Sequence, residues 1–163
     1  MDILTTKGKE TIEQANRAIY LLESKYPEIQ YIKTAENAPA GLDGVLVSGG
    51  YVVSACEIKC RKTTLNALAE HFKFEWLVSF DKIEKMLQIS RLLGISALGL
   101  LYLVEDDLLL VQKIVDKDGN VVGNIRLEKT TTQATVNGGS AVRTNAFIDM
   151  SKAIQIDAYA KKN

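Results

Sequence analysis

Residues Ile95 to Val104 read Ile-Ser-Ala-Leu-Gly-Leu-Leu-Tyr-Leu-Val, an almost wholly apolar run with no charge. A strand exposed on one face alternates apolar and polar positions, so a run of this kind suits a central strand covered on both faces better than an edge strand. It is too short to cross a bilayer, which takes about 18 or more apolar residues. The segment before it, Asp81 to Leu93, is amphipathic, with Ile83, Met86, Leu87, Ser90 and Leu93 inward, and it stops at Gly94. That helix supplies one cover. The chain has 163 residues, of which 47% are hydrophobic. This is enough for one core, and a single α/β domain over residues 1–163 is expected.

The other elements follow from periodicity and breakers. From about Lys7 to Tyr26, Ile12, Ala15, Ile19, Leu22 and Tyr26 recur at helical spacing, and Pro27 stops the run. Ile29 to Lys33 reads as a short strand, and Ala35 to Gly41 as a loop delivering the chain to Asp43. Leu42 to Ser48 and Tyr51 to Cys60 are β-rich and separated by Gly49-Gly50, which predicts a hairpin. Thr64 to about Phe74 reads as an irregular helix. Leu108 to Val115 and Val121 to Leu127 flank the turn cluster Asp116-Lys117-Asp118-Gly119-Asn120, predicting a second, C-terminal hairpin. Glu128 to Thr144 reads mostly as loop, Ala146 to Met150 as a last strand, and Lys161 to Asn163 as a fraying end.

Composition narrows the partners. Twenty Lys and Arg balance 20 Asp and Glu, so any nucleic-acid surface has to come from local segregation of charge. The N-terminal residues lack the pattern of a signal peptide, and no apolar run is long enough to span a membrane, so a soluble, cytoplasmic protein is expected. Cys56 and Cys60 lie on one strand about 13 Å apart, too far for a disulfide, and should be free thiols. His71 is the only histidine, which leaves a zinc site short of ligands, and no serine or cysteine arrangement near it implies a catalytic triad.

The chemistry concentrates on one strand. Side chains alternate faces, so Glu57 and Lys59 project together while Cys56, Ile58 and Cys60 face the core. Folding the hairpin can bring Asp43 beside Glu57, and two clustered carboxylates repel unless a proton or cation intervenes. A hard divalent cation with oxygen ligands satisfies that arrangement. A lysine beside it can hold an attacking water and balance charge on a phosphate. The bland alternative is a solvated ion-pair face, which a Glu-x-Lys strand commonly is.

Asp43, thirteen intervening residues, then Glu57-Ile58-Lys59, set between a leading helix and a following helix and apolar strand, resembles the PD-(D/E)XK nuclease superfamily. The resemblance covers roughly residues 7–104, leaving 105–163 as a β-rich extension. It implies a restriction-endonuclease-like mixed central sheet flanked by helices. It also implies magnesium, with manganese as a substitute, held by Asp43, Glu57 and the Ile58 carbonyl, with Lys59 positioning the water. The implied activity is hydrolysis of phosphodiester bonds, with DNA as the expected partner, leaving 5′-phosphate and 3′-hydroxyl ends in recombination or repair. Lys7-Gly8 and the element order are similar to archaeal Holliday-junction resolvases, for which a homodimer would pair two sites. Leu42 stands where the family's name has proline. No glutamate of the first helix is assigned, because Glu10 and Glu13 project away from its apolar face and Glu23 lies at the flank.

Arg61, Lys62 and Lys82 are the candidate phosphate contacts. Arg143 and Asn145 lie in a polar segment that could reach substrate, and Trp76 is expected to pack in the core. A second reading is a catalytically silent nuclease-fold module that binds nucleic acid or protein. One geometric condition separates the readings. A two-residue Gly49-Gly50 turn would pair Asp43 with Cys56, on the wrong face. A three-residue connection or a bulge near Gly44 is therefore expected.

Overall fold

The computed structural model describes residues 6–34, 41–131 and 141–159. Helix α1 (Thr6–Lys25) ends just before Pro27 and is followed by β1 (Ile29–Lys33). Strands β2 (Gly44–Ser48) and β3 (Tyr51–Arg61) form the expected hairpin, with positive φ at both Gly49 and Gly50 as a tight two-residue turn requires. Then come α2 (Leu65–Phe72), β4 (Glu75–Ser79), α3 (Phe80–Leu93) and β5 (Ser96–Leu103). The chain finishes with β6 (Leu108–Val115), β7 (Ile125–Thr131), β8 (Val142–Asp149) and β9 (Ile154–Asp157). Most of the expected loop after Lys33, and the C-terminal lysines, lie outside the described residues.

Six strands form the main sheet in the order β1-β2-β3-β5-β6-β9. β3 and β5 run parallel, and the other ladders are antiparallel. A parallel pair needs a long crossover, and here α2, β4 and α3 supply it. The apolar run at residue 95 accordingly sits at the centre, covered on both faces. Ala97, Leu101 and Leu103 of β5 pack with Leu68 of α2, Ile83 and Met86 of α3, and Trp76 of β4. Leu100 and Tyr102 pack on the opposite face with Ala18, Leu21 and Leu22 of α1. This is a mixed α/β architecture, a central mixed sheet flanked by the three helices of the described residues.

Several expectations need correction. The strand at Val121 to Leu127 does not form a hairpin with β6. Val121 makes an isolated bridge to Val115, and then Gly123, at positive φ, precedes a strand that joins β8. Along Leu108–Val111 the edge of β6 not used by β5 belongs to β9, a strand absent from the sequence reading. The C-terminal hairpin is instead β7 with β8, and β4 completes a second, three-stranded sheet in the order β4-β8-β7. β4 itself was unforeseen, and the ends of the supposed loop at Glu128 to Thr144 are strand. On α3, Leu93 is exposed rather than inward: it is the last residue of the helix, and the buried stripe of Ile83, Met86 and Ser90 stops short of it. On α1 the expected Leu22 is buried and Ala15, Ile19 and Tyr26 pack against the core, while Ala18 and Leu21 widen the stripe.

Two contacts lock the layers. Trp76, in the core as expected, lies directly on β5 at Gly99, where an added Cβ would be 2.2 Å from its ring. On the other side Arg17 of α1 makes two hydrogen bonds to the Asp107 carboxylate (2.9 and 2.5 Å), and the Tyr102 hydroxyl donates to it at 2.6 Å. Asp107 itself sits at positive φ in the β5–β6 turn, which Asp tolerates better than most residues.

Replacing Gly99 by Ala should cost about 1–3 kcal/mol through overpacking. It should also shift the emission of the only tryptophan to the red, both read in one denaturation series. Arg17 holds the Asp107 carboxyl below its ordinary value mainly by hydrogen bonding. A depressed carboxyl stabilises the fold above its unfolded pKa and loses that contribution as pH falls through the folded value. Because 39% of the Asp107 side chain is exposed, solvent screens the pair. Asp107→Asn should therefore lower stability by only about 1 kcal/mol near neutrality. The gap from the parent should close below about pH 4, measured by chemical denaturation across pH.

Candidate active site

The pairing of β2 with β3 decides whether the candidate residues meet. Ser48 faces Tyr51 and Val47 faces Val52, as a two-residue turn dictates, but Leu46 then faces Ser54 and Gly44 faces Cys56. The shift falls between Leu46 and Val47 and leaves Val53 as the extra residue of a β-bulge. The required one-residue displacement is present, brought by a bulge nearer the turn than Gly44. One residue beyond the ladder, Asp43 falls opposite Glu57.

Asp43 is tightly held. Its amide donates to the Cys56 carbonyl (3.2 Å). Its own carbonyl accepts from the Thr34 amide (3.0 Å), the Thr34 hydroxyl (2.9 Å) and the Tyr31 hydroxyl (3.0 Å). Its carboxylate Oδ2 accepts from the Ile58 amide at 2.7 Å. A strand residue carries its N–H and C=O on the same edge, so the Ile58 carbonyl also lies on the edge that Asp43 occupies. Tyr31 reaches this place by lying across Gly44, where a Cβ would be 2.3 Å from its ring. Burial above all, with the nearby Asp43 and Glu57 carboxylates adding to it, pushes the Tyr31 phenol up, so it stays a donor.

Glu57 has no exposed surface. Lys82 of α3 donates to Oε2 at 3.0 Å, and Lys59 Nζ lies 3.1 Å from Oε1. The Lys59 approach is an ion-pair distance without hydrogen-bond alignment, so Oε1 is a buried carboxylate oxygen with no hydrogen-bond donor among the described residues. Burial pushes the Glu57 carboxyl up, Asp43 adds to this, and Lys59 and Lys82 oppose it. The Lys59 side chain is 35% exposed and reaches from the buried acid to the surface.

Among the described residues no three His, Cys, Asp or Glu side chains cluster as a ready-made metal cage. The donor set is smaller: two carboxylates and a backbone edge. An unbonded buried oxygen beside a second carboxylate fits a hard cation that binds through oxygen. These groups are compatible with a divalent ion that keeps several of its waters.

The candidate phosphate contacts do not stand together. Arg61 is exposed, and among the described residues its guanidinium reaches the Cys60 carbonyl at 3.4 Å. Lys62 pairs with Glu10 of α1 at 2.6 Å, so Glu10, which projects off the apolar face of its helix, reaches past the end of β3. Lys82, expected to touch phosphate, is turned onto Glu57. Its partner is 25 positions away and on another element, so no local pattern could name it. Glu23 accepts from the Tyr31 amide (2.8 Å) and so braces β1. Asn145 bonds Thr130 within the second sheet. His71 is exposed, and both cysteines are free thiols.

The chain is similar to the solved structure of Hjc, a Holliday junction resolvase from the archaeal hyperthermophile Archaeoglobus fulgidus. The two share 19% identity and a TM-score of 0.48, over 83% of this chain and 92% of that chain. No protein-family model and no curated protein matches the chain.

Gly44→Ala should cost about 1–3 kcal/mol, because its methyl group meets the Tyr31 ring. It should also release Tyr31 from the Asp43 carbonyl, visible as a lowered tyrosine pKa in an absorbance titration.

Proposed function

We infer that the chain is a metal-dependent nuclease of PD-(D/E)XK type that hydrolyses phosphodiester bonds of DNA. The observation that carries this reading is the bulge, which brings Asp43 opposite Glu57 and beside the Ile58 backbone, with Lys59 on the Glu57 face. Magnesium, or manganese in its place, would be held by the Asp43 and Glu57 carboxylates and the Ile58 carbonyl, and would supply Lewis-acid polarisation and a more acidic water. Lys59, with its ammonium between the buried acid and solvent, orients the attacking water and balances charge developing on the phosphate oxygens. Thr34 and Tyr31 keep Asp43 from following substrate. A role in recombination or repair, and a homodimer pairing two such sites, are part of this proposal.

A second reading has its own support. Glu57 has no exposed surface, and an ammonium faces each of its oxygens, an arrangement that suits a catalytically silent module binding nucleic acid or protein.

Labelled duplex, single-stranded and branched DNA, with RNA alongside, should be incubated with magnesium and the ends of any product mapped. Cleavage leaving 5′-phosphates is expected on DNA, falling by about 100-fold or more in Asp43→Ala and in Lys59→Ala. Cleavage that persists in Asp43→Ala would sink the nuclease site. Binding without cleavage, indifferent to Asp43→Ala, would establish the silent module.

A further inference from the structure

Glu57 has a second cationic partner that the nuclease reading does not use. Lys82 stands in the first turn of α3, where the helix dipole disfavours a cation. Its ammonium nevertheless makes the better aligned of the two lysine contacts, a hydrogen bond of 3.0 Å to Oε2. With Lys59 alone, Asp43 and Glu57 would leave excess negative charge, the condition that draws in a divalent cation. Lys82 cancels it. The carboxylate is fully buried, but the Lys82 side chain is 26% exposed, so its ammonium has a route to solvent. Its unbranched stem can swing while Ile83 and Met86, both buried, keep α3 in place.

We propose that Lys82 is a built-in counter-ion that competes with the divalent cation for Glu57, so that metal loading requires its ammonium to leave the carboxylate. The proposal rests on the nuclease reading of the site. It makes Lys82 a positioning residue that sets the metal requirement, in place of the phosphate contact its sequence context suggests. Two like charges cannot share one buried carboxylate without a penalty that a neutral residue would lift.

The test is calorimetric titration with calcium, as a non-hydrolysing probe, on the full chain and on Lys82→Gln, Lys82→Arg and Asp43→Ala. Glutamine keeps a hydrogen-bond donor and loses the charge. Its variant should bind calcium about tenfold more tightly, and half-saturate in magnesium-dependent cleavage at correspondingly lower magnesium. Arginine grips a carboxylate with two donors and should bind calcium more weakly than the parent. A merely structural role would weaken calcium binding in both, and that result overturns the proposal. Unchanged affinity in both overturns it as well. Should Lys82→Gln fail to fold, by its thermal unfolding profile, the arginine variant decides alone: affinity equal to or above the parent's sinks the idea. Asp43→Ala separates the two levels. If it abolishes calcium binding while the Lys82 variants behave like the parent, only the counter-ion role falls. If it binds calcium as the parent does, the site reading falls and the counter-ion role with it.

Discussion

A carboxylate at the middle of β3 has no exposed surface, and an ionised acid in that position has to be compensated by groups brought to it. Much of the surrounding architecture answers that requirement. β3 carries Lys59 on the same face and α3 is laid across that face so that Lys82 reaches the second oxygen, while the β2–β3 hairpin sets Asp43 alongside and adds to the negative charge to be balanced. Burial and Asp43 push the proton affinity of Glu57 up while the lysines push it down. Charges of both signs lie within a few ångströms, and the Oε1 of Glu57 has no hydrogen-bond donor among the described residues, which sets this cluster apart from an ordinary surface ion pair. Surface pairs are solvated at both ends, and Glu57 is solvated at neither oxygen.

The rigidity that keeps this arrangement in place comes from the strands that flank it. β5 is covered by α1 on one face and by α2, α3 and the second sheet on the other, so β3, its parallel neighbour, cannot slide without breaking both layers. Trp76 rests on Gly99, the residue that pairs with Glu57, which couples the second sheet to the strand pair holding the site. On the far face Arg17, Tyr102 and Asp107 fasten α1 to the β5–β6 turn. Asp43 depends on a different set of bonds, those of Tyr31 and Thr34 at the end of β1. The site is thus assembled from elements stabilised independently of one another, and a change at Gly99 and a change at Gly44 reach it by separate routes.

The charge pattern around the site bears on how it would meet a polyanion. The chain as a whole is neutral, and the candidate cations beyond Lys59 are committed in different ways: Lys62 to Glu10, Lys82 to Glu57, Arg61 to the surface. On the proposed nuclease reading, few of these cations are free to contact phosphate, so binding should depend on few phosphate contacts.

What the sequence determined alone is whatever depends on neighbours along the chain. Strand alternation unites Glu57 with Lys59, Pro27 ends α1, Gly49-Gly50 makes the turn, and the uncharged run at Ile95 to Val104 demands a covered central strand. Each follows from the geometry of a few consecutive residues, and each stands in the structure. Tertiary structure decided the rest. Whether Asp43 meets Glu57 depends on one extra residue, Val53, and nothing in Tyr-Val-Val marks which valine will bulge. Ile154 to Asp157 takes the edge of β6 at Leu108 to Val111 while Ile125 to Thr131 pairs with β8, a choice that no local pattern marks. Lys82 looks like any solvated helical lysine until α3 is laid over β3 and a buried acid claims it. These outcomes depend on contacts between residues far apart in the chain, where the energy of pairing and burial overrides local preference.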